Sequence, residues 1–399
     1  MWEKKIDINA VTEIRAKTTV YFGVGAINKI TDIAGVLAGK GINKVIVITG
    51  KGSHIKTGAW DVTKKALEAK NIEYVLYSKI TPNPTVNEVD EAAKIAGEFG
   101  AKAVIAIGGG SPIDAAKSVA VIMEYPGKTA RDLYEFKFAP EKAAPIIAIN
   151  LTHGTGTEAD RFAVVTIPEK EYKPAIAYDC IYPMFSIDDP ALMTKLPAKQ
   201  TMYVSVDAVN HVVEASTSLA SNPFSILLAE ETVRLVAKYL PIALKDPEDL
   251  TARYYLLYAS MIAGVSFDNG LLHFTHALEH PLSGVKQELT HGFGLGMLLP
   301  AVIKEIYPAR AEVLANVLAP IVPGLDGTAE EADKACKGVK EWLNSVGLTE
   351  TLKDEGFTEA DVEKLTKLAF ETPSLDGLLS IAPVKATKEV VSNIYRNSL

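Results

Sequence analysis

Cysteine is nearly absent: Cys180 and Cys336 are the only two in 399 residues. So few, so far apart, exclude a disulfide framework and a thiolate zinc site, and they fit a reducing compartment. No apolar run reaches the roughly 18 residues a membrane span needs. The nearest, residues 295–303, is interrupted by Pro300. The N-terminus, Met1-Trp2-Glu3-Lys4-Lys5, is charged with no apolar run behind it, so no signal peptide is expected and the expected location is cytoplasmic. Excess positive charge is lacking too: the formal net charge is −8. That argues against a nucleic-acid or anionic-membrane partner. Internal repeats, low-complexity tracts and flexible linkers are likewise missing.

What is present is a large apolar fraction, 48%, in a chain too long for one ordinary domain. The first half alternates β-branched runs with helical spacing. Strands are expected at 44–49 (KVIVIT), 73–77, 103–107 (AVIAI) and 146–150, and helices at 54–70, 87–99 and from 113. Strand–helix–strand order of this kind implies right-handed crossovers and a parallel sheet covered on both faces. After Asp189-Pro190 the strand signals almost vanish. Helices are expected at 200–220, 223–239, 250–265, in a His-rich stretch from 271, and at 330–346, 358–370 and 388–395. The expected division is an α/β dinucleotide-binding domain, 1–190, and an all-helical domain, 191–399, around a cleft.

Three Gly- or Thr-rich turns follow strands. Gly108-Gly109-Gly110-Ser111 joins AVIAI to a helix with Pro112 at its start. Glycines let a backbone approach a ligand, and a helix N-terminus favours a pyrophosphate. Gly50-Lys51-Gly52-Ser53 follows KVIVIT, but Ile55 stands where the six-residue dinucleotide fingerprint has its last glycine. The stretch 150–158 (NLTHGTGTE) places hydroxyls and bare backbone after the fourth strand, which suits a ribose or an amide and equally an ordinary capped loop.

Histidine is scarce but clustered. Of seven, five lie between 211 and 291. Asp207 and His211 are four apart in a helical stretch and so share a face, as do His276 and His280; His291 precedes Gly292 at another helix start. One such histidine is ordinarily a hydrogen-bonded core residue. An Asp/His pair followed by further histidines points to a metal held by N/O donors, suited to iron(II), zinc, cobalt or manganese.

At these residues the chain resembles the iron-containing (group III) alcohol dehydrogenases. The resemblance runs over nearly the whole length: 108–117 (GGGSPIDAAK), 154–158 (GTGTE), Asp188-Asp189-Pro190 before Leu196-Pro197, 207–214 (DAVNHVVE), 276–282 (HALEHPL) and His291-Gly292. It implies an N-terminal dinucleotide-binding α/β domain, a C-terminal all-α domain, and the dehydroquinate synthase-like architecture. It implies hydride transfer between primary alcohols and aldehydes and a nicotinamide cofactor. Carried over motif by motif, Asp207, His211, His276 and His291 would hold Fe2+, with Zn2+ as the alternative, and His280 would relay a proton. Gly109, Gly110 and Ser111 would hold the pyrophosphate. Asn83, Asp114, Thr152, Thr155, Lys173 and Leu192 would line the cofactor, and a homodimer or larger homo-oligomer is expected.

Three departures bear on function. Gly50 stands where many NAD-preferring relatives carry an acid, and Gly50, Lys51, Gly52 and Ser53 offer space, charge and donors instead, so NADP(H) is expected over NAD(H). His153 stands where a small residue is common beside the nicotinamide. The interval from His276 to His291 is about one residue longer than in some members. Leu192, Phe162 and Phe267 lean the substrate towards unbranched alcohols. The rival readings are a zinc-dependent glycerol or polyol dehydrogenase of the same superfamily, a dehydroquinate-synthase-like lyase that recycles NAD, and a catalytically silent binding protein. The lyase's phosphate substrate calls for basic residues, of which the histidine segments offer only Lys286 and distant Arg253.

Overall fold

In the computed structural model, which describes residues 2–399 (the side chain of Lys5 excepted), the parallel sheet has six strands. Met1, at the head of the charged N-terminus, lies outside the described residues. The strands are β1 Thr19–Phe22, β2 Lys44–Gly50, β3 Glu73–Ile80, β4 Ala103–Gly108 and β5 Ile146–Asn150. After a small antiparallel hairpin, β6 Phe162–Val164 with β7 Ala175–Ala177, the sheet is completed by β8 Phe185–Asp188. Its order is β1-β8-β5-β4-β2-β3, every neighbour parallel.

Strand alternation builds two cores. Val45, Val47, Ile105, Ile107, Ile147 and Ile149 pack on one face. Ile46, Ile48, Val104, Ala106, Ile146 and Ala148 pack on the other. From β2 the chain first goes outward to β3 and then returns to β4 on the opposite side. The crevice between the C-terminal ends of β2 and β4 is therefore the switch point at which open α/β sheets bind ligands. Gly50 and Gly108 end those two strands.

Downstream of β8 the regular elements are helical, led by Ala198–Thr217, Pro223–Lys245, Leu250–Gly270, Phe274–Val285 and His291–Leu318. Their apolar faces enclose one large core that includes Val206, Val209, Val213, Leu278, Leu298 and Tyr307.

Several expectations are refined. The helix expected at 54–70 is two, Ser53–Lys56 and Ala59–Ala69, because Gly58 takes φ +77 between them and ends the first turn. The hairpin β6–β7, β8 and the short helices Ala130–Tyr134 and Leu375–Ser380 were not anticipated. Elements of three to six residues carry too little periodicity to register. Strand β1, near the N-terminus, pairs within the chain on β8.

Candidate functional site

A cavity of about 960 Å³ runs between the sheet's C-terminal edge and the helical part. Gly50, Lys51, Gly52, Ser53, Asn83, Gly109, Gly110, Ser111, Asp114, Thr152, Thr155 and Lys173 line it, together with Asp207, His211, His276, His280 and His291. Leu192 is not brought there. It sits on the turn Pro190–Met193, which the Asp189 carboxylate caps by accepting from Ala191 N at 3.0 Å, and it packs into the sheet core.

At the sheet end, the helix Gly110–Glu124 starts directly after β4 with Gly109 as its N-cap. Its first N–H groups have no helical partner and lie on the cavity wall. Both glycines are sterically required. A Cβ on Gly109 would stand 2.6 Å from Thr152 Cγ2, and one on Gly110 would stand 2.6 Å from Thr155 Cγ2. Asp114 accepts from Thr157 Oγ1 at 2.7 Å and from Val164 N at 3.0 Å. Its role here is to hold the 157–164 segment. Burial pushes its carboxyl up to about 6, against the pull of Lys117.

The histidines meet on three helices. Ala198–Thr217 presents Asp207, His211 and Glu214 on one face, Phe274–Val285 presents His276, Glu279 and His280, and His291 opens the third. Gly292 permits that arrangement, since a Cβ there would lie 2.1 Å from Tyr203 O. Asp207, His276 and His291 each offer a donor atom within 4.8 Å of the others. His211 approaches from the side: its Nε2 is 3.4 Å from Asp207 Oδ1, and its ring stacks on that of His276 at 4.7 Å. His276 Nε2 lies 3.7 Å from the same oxygen.

These atoms fit a bound cation. Among the described residues, Asp207 Oδ1 and His276 Nε2 are buried without a hydrogen-bond partner. Donors about 2.1 Å from a tetrahedral ion lie about 3.4 Å from one another. Orphaned acceptors at that spacing are otherwise costly. Burial opposes the charge on Asp207, but His211, His276 and His291 outweigh it and hold the carboxyl at about 2. Burial likewise opposes a proton on His276, yet Glu214 and Asp207 prevail and hold the ring up at about 9. Burial takes His211 down to about 4 despite Asp207.

Two carboxylates that sequence reasoning left unassigned complete the site. Glu214 accepts a hydrogen bond from Nδ1 of His276, and the backbone N–H groups of His273 and Thr275 donate to it at 3.2 and 2.6 Å. Glu279 accepts a hydrogen bond from Nδ1 of His291. Each leaves the ring's Nε2 free, the usual arrangement behind a metal-binding histidine. The signal was legible: Glu214 is seven residues after Asp207, and Glu279 three after His276, both on the ligand face of their helices. Lys173 was expected at the cofactor. Its Nζ stands 3.3 Å from Glu279 Oε2 and from His291 Nδ1, so it reaches the histidine cluster as well.

His280 lies beside this cluster, its ring 5.7 Å from that of His291. Burial, then the Lys173 charge, holds His280 well below the ordinary imidazole value. His153, expected beside the nicotinamide, turns away from the cavity. It is fully buried, with Nε2 accepting from Arg253 Nη1 at 3.1 Å and Nδ1 3.4 Å from Ser205 Oγ.

A crevice at the sheet's switch point that opens onto an Asp/His cluster fits a class of nicotinamide-dependent, metal-assisted enzymes. Comparison with known proteins narrows this. Residues 17–190 match the family described as iron-containing alcohol dehydrogenase, and residues 201–399 match its C-terminal counterpart. The chain is 66% identical over 398 residues, covering 100% of both chains, to the long-chain primary alcohol dehydrogenase AdhA of Thermoanaerobacter ethanolicus. It is 31% identical to the 1,3-propanediol dehydrogenase of Klebsiella pneumoniae, over 95% of this chain and 96% of that one. Among solved structures, the NADH-dependent butanol dehydrogenase A of Thermotoga maritima superposes with a TM-score of 0.89 at 30% identity, covering 98% of each chain. An archaeal alcohol dehydrogenase from a Red Sea brine pool also gives a TM-score of 0.89, at 30% identity, over 98% of this chain and 100% of that one. The chain belongs to the iron-containing alcohol dehydrogenase family, and it is an alcohol dehydrogenase of small-molecule substrates.

Proposed function

We propose that this enzyme interconverts long, unbranched primary alcohols and their aldehydes, using NADP(H) in preference to NAD(H) and iron(II) as the resident ion. The observation that carries the substrate reading is the wall of the cavity on the histidine side. Phe162, Phe267, Leu271, Leu272, Leu378 and Ile381 line the same space as Asp207 and His276. Phe267 stacks on His211 at 4.6 Å and meets Phe162 at 5.3 Å. Such a wall gains by burying methylenes and offers a polyol few partners. The long-chain relative agrees with it. Among the described residues, Lys51 and Lys173 are the only lysines of the lining, which also lacks arginine, a poor match for a lyase's phosphate substrate.

The cofactor reading rests on the end of β2. Gly50, Lys51, Gly52 and Ser53 line the cavity with no acid among them to repel a 2′-phosphate. Asp207, His211, His276 and His291 are the residues that would hold the ion. Bound there, a divalent ion supplies Lewis-acid polarisation of the substrate oxygen while the nicotinamide supplies or takes the hydride. The chain's own contribution is positioning. Gly109, Gly110 and Ser111 seat the pyrophosphate, Thr152 and Thr155 bound the ribose side, and Glu214 and Glu279 fix the two imidazoles. The aromatic wall excludes water. His280, kept neutral by burial and the Lys173 charge, is placed to pass a proton along from one ring nitrogen to the other rather than to hold one. We further read residues 1–190 and 191–399 as two domains that share this cleft, in a cytoplasmic homo-oligomer. The two cysteines are unpaired, and among the described residues no helix is long and apolar enough to cross a membrane.

The test is an anaerobic assay with iron(II) or zinc, following nicotinamide absorbance with butanal, decanal and glyceraldehyde, NADPH beside NADH. Higher kcat/KM for decanal than for butanal, and for NADPH than for NADH, is expected. Preference for glyceraldehyde overturns the substrate reading, and preference for NADH overturns the Gly50 argument.

A further inference from the structure

β3 ends at Ile80, and the chain turns through Thr81, Pro82, Asn83 and Pro84 before the helix Val86–Phe99. Within this turn Asn83 takes φ +54. Asparagine enters the left-handed region more readily than most residues, but here it precedes a proline, which favours extended backbone in its neighbour. A conformation of this kind persists where the surroundings over-determine it.

The restraint comes from the other side of the cleft. Asn83 Nδ2 donates to Gln287 O at 2.7 Å and to Leu289 O at 3.1 Å. Two carbonyls can only accept, so the amide's orientation is fixed by chemistry, and both its protons are committed to the helical part. Residues 286–290 join the helix of His276 and His280 to the helix that His291 opens. Leu289 is buried in the helical core, and Thr290, the N-cap, makes no side-chain capping bond. The entry of the helix His291–Leu318, and with it His291, is therefore set by how this connection is held.

We propose that Asn83 is a positioning residue: it straps the cofactor-side turn to the 286–290 connection and so fixes His291 relative to Asp207 and His276. This rests on the metal-site reading above and is independent of which nicotinamide or alcohol is used. Only Oδ1 of Asn83 remains for a ligand in the cavity it lines. The same side chain thus ties the sheet side of the cleft to the histidine side.

The experiment uses full-length protein loaded with zinc and reads the rate of zinc release to a chromophoric chelator. Asn83→Asp keeps size and left-handed tolerance but turns oxygens towards two carbonyls. Asn83→Gly tolerates φ +54 and deletes the side chain without adding charge. Both are expected to release zinc about tenfold faster than the parent, in the range seen for partners behind a ligand. In a Glu279→Gln background, which keeps every proposed zinc residue but loosens the same ring, Asn83→Gly is expected to change release by less than twofold, because both act through His291. Release within twofold of the parent in the Gly variant overturns the strap. So does acceleration by Asp alone, or an undiminished effect in the Glu279→Gln background. A parent protein that binds no zinc overturns the metal reading first, and the strap with it.

Discussion

Glu214→Gln tests whether the ligand set is built from behind. Glu214 is fully buried on the helix Ala198–Thr217 and faces the first turn of Phe274–Val285. It accepts from the N–H groups of His273 and Thr275 and from His276 Nδ1. A carboxylate serves all of these. An isosteric amide has one acceptor and brings an NH2 group against at least one donor. Loss of a charge-assisted bond, about 1.5–3 kcal/mol against about 1 for a neutral one, adds to a buried donor left unsatisfied at about 1–3 kcal/mol. A loss near 3 kcal/mol is expected, read as a lower urea midpoint of the zinc-free protein at unchanged slope. Because the His276 ring also loses its clamp, zinc release should accelerate about tenfold to a hundredfold. A midpoint and release rate equal to the parent's refute the reasoning. A lower midpoint with unchanged release would make Glu214 a helix cap and nothing more.

Other expectations can be checked alongside. Gly50→Asp has room, its Cβ being 3.4 Å from Ile80 O, and should raise the KM for NADPH at least tenfold while lowering that for NADH. Gly109→Ala drives a Cβ into Thr152 and should weaken cofactor binding at least tenfold by fluorescence titration, with zinc content unchanged. His153 is held down at about 3 by burial and Arg253, against an ordinary 6.5. The unfolded chain therefore takes up a proton that the folded one refuses, and stability is lost as pH falls from 6.5 towards 3, at up to about 1.4 kcal/mol per pH unit. His153→Gln should remove that component, seen as a shallower fall in urea midpoint between pH 6.5 and 5; an unchanged slope would refute it. His276→Ala should abolish zinc loading, whereas His280→Ala should retain zinc and slow turnover.

The sequence by itself determined the layers and which acids and histidines share a helix face. Alternating β-branched runs can only be strands covered on both faces, and spacings of four on helices place Asp207 with His211, and His276 with His280, whatever the rest of the fold does. Gly108–Ser111 between a strand and a helix, and Gly50 in place of an acid, are likewise local facts. Only the tertiary structure decided what meets across elements. It turned His153 from the cofactor to Arg253 and buried Leu192 in the sheet core. It brought Lys173 to Glu279 and lowered His280 through burial that no spacing encodes. It also tied Asn83 to a loop two hundred residues away in the chain. Periodicity reports which face a residue takes on its own element. The partner on that face, and the dielectric around it, depend on how separate elements pack, which is where the carboxylates behind the histidines and the strap across the cleft arise.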